Sequence, residues 1–317
     1  MSAPDRVPAG RPFTGMTLDR VSAERKQPEW VRARLADPAA RTVAASRHGV
    51  LLSVNGDGTP TRLLRTEPHE PGDDEPILLG VDQRGAGLFA LDLEGLPASA
   101  DPEHLSGGRI VSLRDAGSVL APAEAGLAAY LVGMLNWHRR HRFCANCGTR
   151  TAIIEGGHAR HCPTCGSHHF PRTDPVVIMT VEHDGRLLLG RRTGWPAGRL
   201  SVLAGFVSPG ESAEEAVVRE VQEESGILCR DPAYVASQPW PFPASLMLGF
   251  HAASDGGRPQ PRDGELEEVC WLTRDEVRAA VAGRNPEFLL PPSVSIARYL
   301  IERWAAGVVP GGPGAPP

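Results

Sequence analysis

Between Arg41 and Leu113 the chain breaks into short aliphatic runs, Gly49 to Val54, Ile77 to Val81, Gly87 to Leu93 and Arg109 to Leu113, parted by turn-rich connections. That rhythm predicts strands. The connection from Thr66 to Pro76 carries three prolines and several acids, as a surface excursion would. From Pro122 to about Arg142 the period lengthens, with Leu127, Tyr130, Leu131, Met134 and Leu135 three or four residues apart, which predicts a helix bridging two domains. Beyond it, Pro175 to Val181 reads as a buried strand, His183-Asp184-Gly185 as a hairpin turn and Leu187 to Gly190 as the returning strand. Trp195 to Ala204 then brings a strand up to Gly205. The next stretch, Gly205 to Ile227, is GFVSPGESAEEAVVREVQEESGI, a glycine turn followed by a helix. At 3.6 residues per turn Ala213, Ala216, Val217 and Val221 share an inward side. Glu220 and Glu224 point nearly the same way, and Glu223 lies at the edge of that stripe.

Carboxylates so placed need a cationic partner if they are buried. A hard divalent ion takes oxygen ligands and leaves positions for water and substrate phosphate, so the cluster suits a metal-phosphate site. The competing reading is a solvated acidic face with Arg219 paired to Glu223.

Composition narrows the setting. The 317 residues, 41% of them hydrophobic, suffice for two domains and a small module, and a net charge of −5 gives no global case for a nucleic-acid partner. The longest apolar run, near Val176 to Val181, is too short to span a membrane, and no hydrophobic signal region opens the chain, so a cytoplasmic protein is expected. Residues 1 to about 15 and Gly307 to Pro317, rich in Pro, Gly and Ala, are expected to be disordered.

Two knuckles, Cys144-Ala-Asn-Cys147-Gly and Cys162-Pro-Thr-Cys165-Gly, stand 14 residues apart. Four thiolates at this spacing close a tetrahedral Zn²⁺ site with no open position, hence a structural one. Two disulfides are the alternative, disfavoured in a cytoplasmic chain. Cys229 and Cys270 read as ordinary buried thiols, and His158, His161, His168 and His169 as groups around the four-cysteine set or at the surface. The basic run His138 to Arg142 just before the first knuckle is a solvated helix end or an attractor of phosphate. A zinc ribbon also admits a non-catalytic RNA-binding reading, against which stands the lack of interleaved aromatics. Downstream, Ser237-Gln-Pro-Trp-Pro-Phe-Pro-Ala-Ser245 has a stiff backbone and two aromatic faces, suited to a flat heteroaromatic ring or to a polyproline-like surface linker.

Residues 205–227 resemble the Nudix box at every defining position. With the ribbon, the SQPWPFPxS stretch and Pro-Pro-Ser-Val-Ser-Ile-Ala297, the chain from about 140 to 300 resembles the NADH pyrophosphatase subfamily of Nudix hydrolases. The resemblance implies an α+β protein in which an N-terminal α/β domain (1–138) and a zinc ribbon (139–170) precede a Nudix α/β/α sandwich (171–306) and a tail (307–317). It implies hydrolysis of the NADH or NAD⁺ diphosphate to a nicotinamide mononucleotide and AMP, and removal of the NAD cap from RNA. A general nucleoside-diphosphate-derivative hydrolase is the alternative. Catalysis falls to Glu220, Glu223, Glu224 and Glu265, with Glu267 and Glu268 as alternatives to the last and Glu223 or Glu265 as the general base. These carboxylates and Ala204 would hold two or three Mg²⁺ or Mn²⁺ ions, with Arg219 orienting the helix glutamates. Phe170, where a Tyr is common, and Phe206 would sandwich a base, while Gln238, Pro239, Trp240, Pro241, Phe242, Pro243, Ala244, Ser245 and Ala297 would line the substrate. A homodimer is implied as well.

Overall fold

The computed structural model describes residues 11–68, 75–95, 108–262 and 264–308. They form two compact units, Met1–Thr173 with Pro239–Ala244, and Asp174–Gln238 with Ser245–Pro317.

In the first unit, strands β1 (Arg41–Ser46), β2 (Gly49–Val54), β3 (Pro60–Leu63), β4 (Ile77–Val81), β5 (Gly87–Asp92) and β6 (Gly108–Val111) make a mixed sheet. Its order is β3-β2-β1-β5-β4, with β6 also on β2 and a parallel pair at β1 and β5. Helices α1 (Pro28–Leu35), α2 (Leu113–Val119) and α3 (Pro122–Arg140) accompany it. Val31 and Leu35 of α1 pack with Leu78 and Phe89 in one core cluster, and Ala44 packs with Leu51 and Leu93 in another. β1 is buried at five of its six positions, so it shows no in-out alternation, and the sequence rhythm passes over it. Of the stretches expected to be disordered, residues 1–10 and 309–317 lie outside the described residues. Phe13 departs from that expectation: it is 2% exposed, with its ring edge-on to Trp240 and Phe242 at 5.9 and 6.3 Å.

The cysteine module adds β7 (Ala152–Ile154), β8 (Ala159–His161) and β9 (His168–His169). Each knuckle is closed by backbone hydrogen bonds, from Gly148 N to Cys144 O and from Gly166 N to Cys162 O. The two glycines sit at φ 75° and 73°, which is why Gly follows each CxxC pair. Beneath them His138 is buried. Its Nε2 donates to Gly157 O (2.8 Å), and its Nδ1 accepts from the Arg160 guanidinium (3.0 Å).

The second unit is built on β10 (Asp174–His183), β11 (Arg186–Arg192), β12 (Leu203–Phe206), β13 (Cys229–Trp240), β14 (Ser245–Ser254) and β15 (Leu266–Thr273). Their order is β13-β14-β10-β11-β15, with β12 on β10 and a parallel pair at β10 and β14. Helix α4 (Ala213–Ser225) packs Ala216, Val217 and Val221 with Val177, Met179 and Val181. Ile178, Leu187 and Leu189 cluster instead with Val277 of α5 (Arg274–Val281) and with Leu300, Ile301 and Trp304 of α6 (Ile296–Ala305). Val177, Met179 and Val181 thus alternate with Ile178 along β10, and the sheet lies between α4 and the α5–α6 pair. This is the expected α/β/α sandwich.

The two sheets share one plan. Reading β4-β5-β1-β2-β6 against β13-β14-β10-β11-β15 matches five of the six strands in chain order, parallel pair included, while β3 pairs with β2 and its counterpart β12 with β10. The connections also differ. Between β12 and β13 the chain forms α4, whereas the connection from β3 to β4 is residues 64–76, of which 69–74 lie outside the described residues.

Candidate active site

Helix α4 is set at both ends by its own sequence. Ser212 Oγ accepts from Glu215 N (3.2 Å) while the Glu215 carboxylate accepts from Ser212 N (2.7 Å), and Gly226 caps the other end at φ 72°. With the apolar side turned to the sheet, Glu224 is 5% exposed, Glu220 is largely covered and Glu223 faces solvent. Alongside, β12 pairs Ala204 with Ile178 and Gly205 with Val177. A Cβ on Gly205 would lie 1.9 Å from the Glu220 carboxyl carbon, so the glycine of the box makes room for that carboxylate.

Arg219 joins the cluster. Its Nε and Nη2 take both oxygens of Glu211 (2.7 and 2.8 Å), Nη1 reaches Glu220 (2.7 Å) and Glu223 (2.8 Å), and Nη2 also donates to Phe206 O (2.9 Å). The guanidinium, with a supporting bond from Ser208 N, holds Glu211 down at about 2. Glu220 goes the other way: burial raises its pKa against the pull of Arg219, and the charges of Glu223 and Glu265 add to the rise. Glu265 therefore acts electrostatically on Glu220, and its carboxylate also accepts from Arg192 (3.0 Å). Glu267 and Glu268, the alternatives to it, are both tied to Arg191. The role of Glu211 went unassigned in the sequence, although its place in the box was visible.

Among the described residues only Cys144, Cys147, Cys162 and Cys165 bring metal-ligand atoms within 4.8 Å of one another. Sulfur separations of 3.4 Å (Cys147 to Cys162) and 3.6 Å (Cys144 to Cys165) are far beyond a disulfide bond and near the ~3.8 Å edge of a ZnS₄ tetrahedron with Zn–S bonds of about 2.3 Å. His169 Nε2 lies 3.3 Å from Cys144 Sγ, beside the set rather than in it. The box carboxylates do not converge in this way, being spread about Arg219. Their donor type still fits a hard cation, because a half-buried glutamate whose neighbours push its pKa up gains from added positive charge. Cys229 and Cys270 are thiols that burial pushes up to about 11.

The expected substrate residues fall into three groups. Phe206 and Phe170 are 60% and 61% exposed, each at the surface of its own unit, and the Phe170 ring stacks on His168 at 6.4 Å. Trp240 and Phe242 pack edge to face with each other and with Phe13, and the Arg114 guanidinium lies 4.8 Å over Phe242. Pro241 between them is buried, Pro239 and Pro243 are exposed, Ala244 is half-buried, and Ser245 opens β14 opposite Asp174. Gln238 is fully buried and clamps the start of α6, donating to Val294 O (2.9 Å) and accepting from Ile296 N (2.7 Å). Ala297, 6% exposed, sits in the helix so clamped.

Comparison with known proteins follows the same divisions. Residues 39–137 match the NADH pyrophosphatase-like rudimentary NUDIX domain, 139–170 the NADH pyrophosphatase zinc ribbon domain, and 171–290 the NUDIX domain. A protein of Mycobacterium bovis, "NAD-capped RNA hydrolase NudC", is 39% identical over 304 residues, covering 91% of this chain and 94% of the relative. The chain belongs to the Nudix hydrolase family. Within the family it resembles two further proteins, a Mycobacterium tuberculosis "NAD-capped RNA hydrolase NudC" at 39% identity with the same coverage, and the Homo sapiens "NAD-capped RNA hydrolase NUDT12" at 44% over 92% of this chain and 72% of the relative. The ribbon of this Nudix hydrolase is a structural zinc site. Among the described residues its first sheet keeps five strands of the plan of the second without the glutamate helix, a physical account of the word rudimentary.

Proposed function

We propose that this Nudix hydrolase cleaves the diphosphate of NADH or NAD⁺ with water, giving a nicotinamide mononucleotide and AMP, and that it removes the NAD cap of RNA at the same bond. The observation that carries the reading is the α4 cluster: Glu220, Glu223 and Glu224 on one capped helix, the first two bound through Arg219 to Glu211, with the charge of Glu265 acting on Glu220. The relatives named above lend the substrate.

Glu220, Glu223, Glu224 and Glu265, with the backbone at Ala204, would hold Mg²⁺ or Mn²⁺. A divalent ion there supplies positive charge to the diphosphate oxygens and makes water more acidic. Glu223 or Glu265, both more than half exposed, would take the proton of an attacking water. Water adds to phosphorus, the bridging oxygen leaves with the other phosphate, and the proton passes to the carboxylate. Arg219 holds the helix glutamates in register. Phe206 and Phe170 each offer an open face to a base, and the residues assigned to the substrate are Pro239 to Ala244 in the first unit and Gln238, Ser245 and Ala297 in the second, Gln238 through its hold on α6. A cytoplasmic homodimer completes the reading. Among the described residues no helix is long and apolar enough to cross a membrane.

Turnover with Mn²⁺ on NADH, set beside a panel of other nucleoside diphosphate derivatives, tests the reading. AMP release from NADH ahead of the panel supports it. Cleavage of the panel with NADH untouched replaces it by the general hydrolase, and metal-independent RNA binding without any cleavage replaces it by the binding module.

A further inference from the structure

The cysteine module concentrates positive charge in a chain whose net charge is −5: residues 139–170 hold five arginines against one glutamate, and even a zinc tetrathiolate of formal charge −2 leaves the module positive. Packing then sorts these groups. Arg139 is held by Asp92 (2.6 and 2.8 Å), and Arg160 is 3% exposed and bonded to Thr151 and His138. His138 is buried, and His141 bonds the Trp137 carbonyl and stacks on the Trp137 ring. Arg140, Arg142 and Arg150 remain at the surface, and among the described residues none of them is in an ion pair.

In their midst Phe143 is 63% exposed. It forms an antiparallel bridge with Arg150, and residues directly opposite in such a pair carry their side chains on one face. The surface is therefore one open aromatic ring with a guanidinium across the bridge, Arg142 on the adjoining residue and Arg140 at the end of α3. An isolated ring among unpaired guanidiniums lacks the wide apolar core of a protein interface. It has the two elements that bind single-stranded nucleic acid without sequence choice, a stacking face and cations for the backbone.

We propose that Phe143, with Arg142, Arg150 and Arg140, is a contact site for single-stranded RNA, the ring stacking on a base and the guanidiniums meeting the flanking phosphates. The proposed function identifies this RNA as the transcript behind the cap, and the inference rests on that reading for this identity alone. It also revises the objection that the ribbon lacks aromatics for stacking.

The test is anisotropy of a 5′-labelled, uncapped single-stranded RNA of about 15 nucleotides, a length within the range that such surfaces cover, on the full-length protein. NADH turnover and zinc content are followed on the same preparations. Phe143→Ala should weaken binding about tenfold, equivalent to ~1.4 kcal/mol, and Phe143→Trp should restore it. Arg142→Gln with Arg150→Gln should reduce the slope of log affinity against log salt by about 1.4. NADH turnover and zinc content should stay at the wild-type level in every variant. Wild-type protein that does not bind the RNA, Phe143→Ala that binds within about twofold of wild type, or a polyglutamate peptide that competes as well as RNA of equal charge would each overturn the proposal. RNA binding that depends on Phe143 in a protein inert toward NADH would support this surface and overturn the hydrolase reading.

Discussion

Arg219 decides the state of the site at the scale of single residues. It contacts three glutamates and the Phe206 carbonyl, so its loss leaves Glu211, Glu220 and Glu223 facing one another with no cation among them. Arg219→Lys should lower kcat/KM for NADH on the order of a hundredfold, because a lysine cannot make the paired bonds to Glu211 and the carboxylates would shift. Steady-state turnover beside the melting curve checks this, and an active lysine variant would show that the fork geometry is dispensable. Gly205→Ala should cost activity in the same assay, since the new methyl overlaps the Glu220 carboxylate. His138 offers a pH test away from the site. Burial, then the Arg160 charge, holds its folded pKa near 3, so an unfolded chain binds the proton first. Its stabilising contribution is complete above about pH 6.5, the ordinary histidine value, and is lost as pH falls from there toward the folded value. His138→Gln, which keeps a donor for Gly157 and an acceptor for Arg160, should show a smaller loss in urea midpoint between pH 7 and pH 4.5.

Elements show which features a sequence can display. The glutamate helix was legible down to its caps, because the capping box, the apolar stripe and the terminal glycine are local codes that agree with one another. The strands Gly49–Val54 and Ile77–Val81 were legible for the same reason. β1 was not: buried on both faces, it offers neither alternation nor a long apolar run. The proline-aromatic stretch was legible only in part. Its composition advertises stacking surface, yet only tertiary packing shows that Phe13 and Arg114 engage Trp240 and Phe242 and that the Gln238 amide is occupied by backbone. Glu265, Glu267 and Glu268 are alike in sequence, and only tertiary pairing shows that Arg191, more than seventy residues earlier, takes the last two while Arg192 takes Glu265. Ser212→Ala should remove about 1 kcal/mol of stability, read as a lower melting temperature, and a melt unchanged from wild type would show that the box is held by packing alone.

At the scale of the whole molecule, a plan of five matched strands occurs twice, and among the described residues only the second copy carries the glutamate helix. The first unit contributes the cysteine module, whose four sulfurs are already gathered. One zinc per chain should be found by elemental analysis, and chelation should unfold the module, exposing the buried Cys144 and Cys162 to a thiol reagent while Cys229 stays protected by burial. Continued protection of Cys144 and Cys162 after zinc loss would mean that the module stands without metal.

The claim that joins these scales is that the carboxylates of α4 cleave a dinucleotide diphosphate, and AMP release from NADH in the presence of Mg²⁺ or Mn²⁺ tests it most directly. Wild-type protein should yield AMP and reduced nicotinamide mononucleotide in equal amounts, while Glu223→Gln and Glu224→Gln lose most of that rate and melt as cooperatively as wild type. AMP released at the wild-type rate by both variants would contradict it.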